Sequence, residues 1–286
     1  MSRFIVSLLL VIICFASAQA STLFPVPEEK TTFTARFLRP NYKGSNDNIG
    51  TTNGLFELWA QVRIGDRMSL VAGIPAIHAS YTSTFYYFPG PFGPGSPITQ
   101  ETDQWRGACP FIGLRTLQGN LENGSQGSFT FGFWLPVLDR KDLDADHFLV
   151  GGLADPHNAA KFMAETWTLF LGYHWTTTSD AGFRLDAQGG FEYAVIDDSP
   201  NLSNWRYGIA IGLARPILIQ AEFTGDYLLN KPSHFFVTDR GDESVALNIG
   251  VPGKVLTPSV YVQRPLDKNV QRELDYNLGF QLKVTM

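Results

Sequence analysis

Apolar and polar residues alternate along most of this chain, and the alternation is cleanest at its end. Leu274, Tyr276, Leu278, Phe280, Leu282, Val284 and Met286 are apolar, whereas Asp275, Asn277, Gln281, Lys283 and Thr285 between them are polar. Period two places the two sets on opposite faces of a β-strand. The same spacing predicts strands over 31–39, 56–64, 68–76, 105–117, 129–137, 167–175, 183–195, 205–213, 217–227, 245–251 and 258–262, which with the closing segment makes twelve. The clearest internal case sets Phe183, Leu185, Ala187, Phe191, Tyr193 and Val195 against Arg184, Asp186, Gln188 and Glu192.

The connections carry a second pattern. Gly65-Asp66, Arg215-Pro216 and Pro252-Gly253 read as tight turns, as does 177–180. The links 40–53, 78–104, 138–163, 197–204, 230–242 and 263–272 read as longer polar loops. Long and short links therefore alternate, and only 119–126 is long for its place. Twelve antiparallel strands with this asymmetry predict an all-β fold, a single transmembrane up-and-down β-barrel with long loops outside the cell and both termini periplasmic. Sandwiches and lipocalin-like barrels share the alternation. Two features weigh against them. Large aromatics (Trp167, Trp175, Tyr193, Trp205, Tyr227) stand near strand ends, where a membrane barrel carries its girdles. The opposite faces mix charges that a dry protein interior would not accept unpaired.

The first residues agree with that address. Arg3, the apolar run Phe4 to Phe15 and Ala18-Gln19-Ala20 form a secretory signal peptide over 1–20, leaving 21–286 as one barrel domain. Cys14 falls in the leader, so Cys109 is the one mature cysteine and no internal disulfide is expected. Removing Arg3 from 22 basic residues, against 27 acidic, leaves a net charge of −6, which does not suit nucleic acid.

On the wet faces, Arg36, Glu57, Gln61, Arg63, Arg184, Asp186, Gln188, Glu192, Arg206, Gln220, Glu222, Asp226, Asn277, Gln281 and Lys283 are the expected lumen lining. Paired across strands they would block a wide pore; unpaired they would line a narrow polar path. Phe85, Tyr86, Tyr87, Phe88 and Phe92 in the loop 78–104 are expected to fold inward or over the mouth. None of His78, His147, His157, His174 and His234 stands at metal-ligand spacing, and all but His174 read as solvated loop residues. Asp142, Asp144 and Asp146 alternate like the start of a calcium loop. His147 replaces the required glycine and Leu153 the bidentate glutamate, so a solvated acidic loop, loosely holding lipopolysaccharide-bridging cations, is expected. Neither a metal, a cofactor nor a catalytic Ser-His-carboxylate set is read from the spacing.

The closing strand resembles the last strand of bacterial outer-membrane barrels, which their assembly machinery engages, although it ends on Met286 and not on an aromatic. Ile64-Gly65-Asp66, Gly113-Leu114-Arg115 and Phe133-Trp134-Leu135-Pro136-Val137 entering an acidic loop resemble outer-membrane proteins assigned to the MetA pathway of phenol degradation. That resemblance implies passage of hydrophobic compounds. The expected function is a narrow or gated conduit for small solutes in contact with outer-membrane lipid and lipopolysaccharide. A structural or adhesive barrel with a plugged lumen, or an outer-membrane lipid hydrolase, is the alternative.

Overall fold

Strands form on the alternating segments because each can give one face to lipid and the other to a polar lumen, with all its backbone groups paired to neighbours. The computed structural model describes residues 27–42, 53–87, 96–120, 124–139, 145–196, 201–230, 241–268 and 270–286. The leader lies outside them. Among the described residues there are thirteen strands: β1 (Thr32–Tyr42), β2 (Gly54–Arg63), β3 (Met68–Tyr87), β4 (Ser96–Gly107), β5 (Phe111–Asn120), β6 (Ser125–Trp134), β7 (Thr166–Thr178), β8 (Phe183–Ile196), β9 (Leu202–Leu213), β10 (Leu218–Asn230), β11 (Gly241–Gly250), β12 (Leu256–Pro265) and β13 (Leu274–Thr285).

All pairings are antiparallel, and twelve strands close a ring in which β3 pairs β5 through its first half and β1 pairs β13 from Thr32↔Thr285 upward. The Met286 N–H donates to the Thr31 carbonyl at 2.9 Å, so both ends of the barrel meet at the short-turn rim. β4 is the extra strand. It pairs only with the second half of β3, Ala76↔Gly107 to Tyr87↔Ser96, and extends the wall past the ring at the long-loop end.

The faces sort as period two requires. Leu58, Ile74, Phe129, Leu171, Ile211, Leu247 and Phe280 are exposed around the outside, whereas Arg36, Glu57, Arg115, Arg184, Arg206 and Glu222 are buried within. A continuous exposed belt of this kind is what acyl chains cover. Trp105, Trp167, Trp205 and Tyr227 stand exposed toward the long-loop rim.

Two links and one strand differ from expectation. Within 78–104, residues 78–87 and 96–104 are paired strand and not loop: Phe85, Tyr86 and Tyr87 belong to β3, and 88–95 lie outside the described residues. Phe88 and Phe92 lie outside the described residues, as do the side chains of the other three aromatics. The strand expected over 105–117 breaks at Ala108-Cys109-Pro110 into β4 and β5, because Pro110 has no N–H to give a ladder. The link expected over 119–126 shortens to the four residues 121–124, since Asn120↔Ser125 still pair.

The fourth correction concerns 138–163, which turns into the barrel. Helix α1 (Ala145–Ala154) and a 3-10 segment (Pro156–Phe162) descend between the walls, and the Glu165 N–H returns to the Leu138 carbonyl at 2.9 Å to close the neck. Twelve strands tilted by about 40° make a backbone cylinder of roughly 12 Å radius, leaving a bore of about 12 Å once lining side chains are subtracted. One helix with its side chains is about 10–12 Å wide. The inward segment therefore fills the bore.

Candidate functional site

α1 is a poor helix by composition, with Gly151-Gly152 in its last turn. Each costs about 1 kcal/mol relative to alanine, so the barrel must hold the helix in place. One flank is apolar: Val150, Ala154, Ala160 and Phe162 join Leu38, Leu55, Trp59, Ile77, Phe111, Trp134 and Phe170 in one buried cluster. Gly151 lets the helix approach, since a Cβ there would stand 2.7 Å from Phe162 and 2.9 Å from Ile77. The lumen aromatics reach this cluster by lying flat on the wall. A Cβ on Gly73 would fall 2.6 Å from Trp59, on Gly132 2.3 Å from Phe111, and on Gly172 or Gly190 2.5 or 2.6 Å from Phe170. Glycine in these strands is the landing surface for an aromatic ring.

The other flank is polar. Arg36 and Glu57 face each other across β1 and β2, with Arg36 Nε donating to Glu57 at 2.5 Å. The segment adds Lys161, 2.5 Å from Glu57, and Asp155, which pairs with Lys161 and lies 3.4 Å from Arg36. Two cations and two anions, all buried, thus balance. Burial alone pushes the Asp155 carboxyl up, but Lys161, Arg36 and the Asn158 amide outweigh it and hold it below its ordinary value. Lys161 also lies over the Trp134 ring, 5.8 Å from its centroid. Asn277 caps the helix by donating to the Leu153 and Ala154 carbonyls at 2.9 and 3.2 Å. Arg206 bonds both Glu192 and Asn158 of the segment.

His157, expected in a solvated loop, is buried. Its Nδ1 lies 2.9 Å from Asp226 and its Nε2 2.6 Å from the Ser244 Oγ. Gln263 donates to that Oγ at 2.8 Å and Thr224 bonds it at 2.9 Å. Carboxylate, imidazole and hydroxyl thus stand in the order that general-base activation of a serine uses. They are buried on the lumen side of the wall, opposite the exposed belt. His78 is likewise buried, 2.7 Å from Asp103. The side chain of His147 and all of His234 lie outside the described residues.

Nearer the short-turn rim, Asp186 accepts from Arg184 Nε at 2.7 Å and from Gln220 at 2.7 Å, with His174 3.2 Å away. Gln188 reaches Glu222 at 3.5 Å. Gln61 donates to the Glu28 carbonyl at 2.5 Å and accepts from Arg115 at 2.7 Å, while Lys283 holds the Glu28 carboxylate at 2.5 Å. Gln281 is buried beside Arg36 in register. Arg63 stands apart: it is exposed at the rim and donates to the Gly65 carbonyl at 2.9 Å, tying the first tight turn. Among the described residues no group of three metal-ligating side chains converges, and 142–144 of the acidic stretch lie outside them.

Sequence reasoning missed Asp155, Asn158 and Lys161, which have no periodic pattern to place them, and the inward aromatics Phe111, Trp134 and Phe170. For the aromatics a signal exists in the facing glycines Gly132, Gly172 and Gly190.

No protein-family model matches the chain, and no curated protein matches it. Solved structures do. The COG4313 outer membrane channel from Pseudomonas putida F1 superposes with a TM-score of 0.55 at 9% identity, over 94% of this chain and 100% of that one. LpxR from Salmonella typhimurium gives 0.46 at 10% identity over 89% and 100% of the two chains. OmpT, an outer membrane protein of Vibrio cholerae, gives 0.40 at 9% over 90% and 96%. At these identities the likeness is one of fold, and only the first superposes well enough to support it: the chain folds as a bacterial outer-membrane β-barrel.

Proposed function

We propose that the protein is a narrow, gated conduit for small solutes across the outer membrane of a Gram-negative bacterium, with residues 145–162 as the gate and both termini in the periplasm. One observation carries the reading: the bore is filled by a segment whose polar flank is attached through ion pairs and hydrogen bonds, which water can replace, and whose neck is closed at Leu138 and Glu165. Such a flap can leave the lumen without unfolding the wall. The similarity to a structure described as an outer membrane channel supports the same role. The exposed belt meets lipid, lipopolysaccharide surrounds the long-loop rim, and β13 is the strand offered to the assembly machinery. The aromatic flank of the lumen favours solutes with an apolar body.

The test is flux into proteoliposomes of refolded protein. Slow entry of small solutes with exclusion of larger sugars is expected. Vesicles as tight as protein-free ones would remove the conduit and leave a plugged structural barrel.

A second reading rests on Asp226, His157 and Ser244. With Nδ1–H given to Asp226, the Nε2 lone pair faces the Ser244 hydroxyl, as in a serine hydrolase. Covalent labelling by a fluorophosphonate, lost in Ser244→Ala, would establish it; an unlabelled native protein would leave the three residues as a latch for the gate.

A further inference from the structure

Beside the gate, β5 to β9 enclose a cavity of about 30 Å³ lined by Arg115, Thr130, Phe170, His174, Gln188 and Arg206, with Gly172 and Gly190 in its wall. That is room for one small polar group beyond the protein's own atoms. Its lining holds two guanidinium groups, an imidazole, a carboxamide and the hydroxyls of Thr130 and Tyr173, and no carboxylate.

The imbalance centres on Arg115. Arg36, Lys161, Arg184, Arg206 and Lys283 each face a carboxylate. Arg115 is as buried as they are, yet its Nε donates to the Thr130 Oγ at 2.9 Å and its Nη1 to the Gln61 Oε1 at 2.7 Å, both neutral. Among the described residues no carboxylate comes within ion-pair distance of it. The field of Glu28 reaches it, but that carboxylate is committed to Lys283. A guanidinium out of water with neutral partners only is an unfavourable arrangement that an incoming carboxylate relieves, and its planar fork matches that group's geometry. Asp186 and Glu192 are paired with His174 and Arg206, and neither carboxylate lines the cavity.

The cavity also opens on ring surface. Phe170 forms one side of it and begins a run in which ring centroids follow at 6.1 Å to Phe111, 5.2 Å to Trp134 and 6.0 Å on to Trp59. A head group at Arg115 therefore has the Phe170 ring beside it as the apolar wall for its body, while the rings that follow are covered by the inward segment.

We propose that the conduit contains a carboxylate-binding subsite centred on Arg115, with Thr130 orienting the guanidinium, that takes small organic acids with an apolar body. This rests on the conduit reading and names its solute class.

The experiment is thermal unfolding of the refolded native protein in detergent with benzoate, acetate or benzyl alcohol, because a ligand that binds only the folded state raises Tm with concentration. Benzoate is expected to raise it most, acetate less, and benzyl alcohol not at all. In Arg115→Gln the benzoate response should need roughly tenfold to a hundredfold more ligand, the weight of a lost charge-assisted hydrogen bond. Should that variant fail to fold, Thr130→Val, which keeps the charge and frees the fork, should weaken benzoate about tenfold. Arg63→Gln, which removes an exposed rim cation away from the cavity, should respond as the native protein does. Equal effects of benzoate and benzyl alcohol, an equal loss in Arg63→Gln, or no response to benzoate would each overturn the subsite. Binding does not require flux, so a benzoate response in a protein that leaves vesicles tight would retain the subsite and reject the conduit, whereas flux with no benzoate response would do the reverse.

Discussion

Replacing Lys161 by methionine tests how the gate is held. The ammonium is fully buried between Glu57 and Asp155, and methionine keeps the chain's length over Trp134 while removing the charge. Deleting one partner of a buried pair costs about 3–5 kcal/mol, because the other charge is left without compensation. Here Arg36 still touches both carboxylates, so the lower end, about 3 kcal/mol, applies. Such a loss raises the undocked population by a factor of roughly 10². The native thiol reads that population. Cys109 is buried beneath the segment, its N–H donating to the Lys161 carbonyl at 2.8 Å and its Sγ 3.3 Å from the Met163 carbonyl. The docked state buries the thiol and is therefore slow to react with maleimide. Lys161→Met should label about a hundred times faster at constant barrel content. Glu57→Gln/Lys161→Met, which restores neutrality, should label closer to the native rate than Lys161→Met does. Native-rate labelling of Lys161→Met would show that the ion pairs do not hold the segment.

Other outcomes follow from the same geometry. Gly132→Val should drive Phe111 off the wall and cost about 1–3 kcal/mol in urea unfolding from liposomes; an unchanged midpoint would remove the flat-ring account. Ile211→Arg, on the exposed belt, should cost about 2–4 kcal/mol in the same assay if lipid covers that face. A loss below about 0.5 kcal/mol would fit a water-exposed surface instead. The Asp155 carboxyl titrates lower in the folded protein than in the unfolded chain, so its contribution to gate docking is complete above the ordinary carboxylate range and disappears only as pH falls through its depressed value. Conductance should therefore stay low from neutral pH down to about 4 and rise only below it. Opening between pH 7 and 5 would assign the latch to another group.

The wall was legible because lipid on one side and a polar lumen on the other impose period two on every strand, as in β8 and β13, and because rim asymmetry is written in link lengths. What lies inside the wall was not. Asp155, His157, Asn158 and Lys161 occupy a stretch without periodicity, and only contacts from β1, β2, β9, β10 and β11 show that it is buried. Trp134 and Phe170 were hard to place because aromatics in a membrane strand are expected outside. The inside position of Phe170, like that of Phe111, depends on a glycine on a paired strand or two places along its own. Cys109-Pro110 ended a strand whose flanking alternation ran smoothly past it, and the same break carries the residue that receives the gate.

Single-channel conductance across a planar bilayer, of the native chain and of one in which 145–162 is replaced by a short Gly/Ser link, addresses the central claim directly. A native conductance far below a nanosiemens, rising to the nanosiemens scale without the segment, is the expected pair of results. A nanosiemens pore in the native protein, or a barrel that stays shut when the segment is gone, would contradict it.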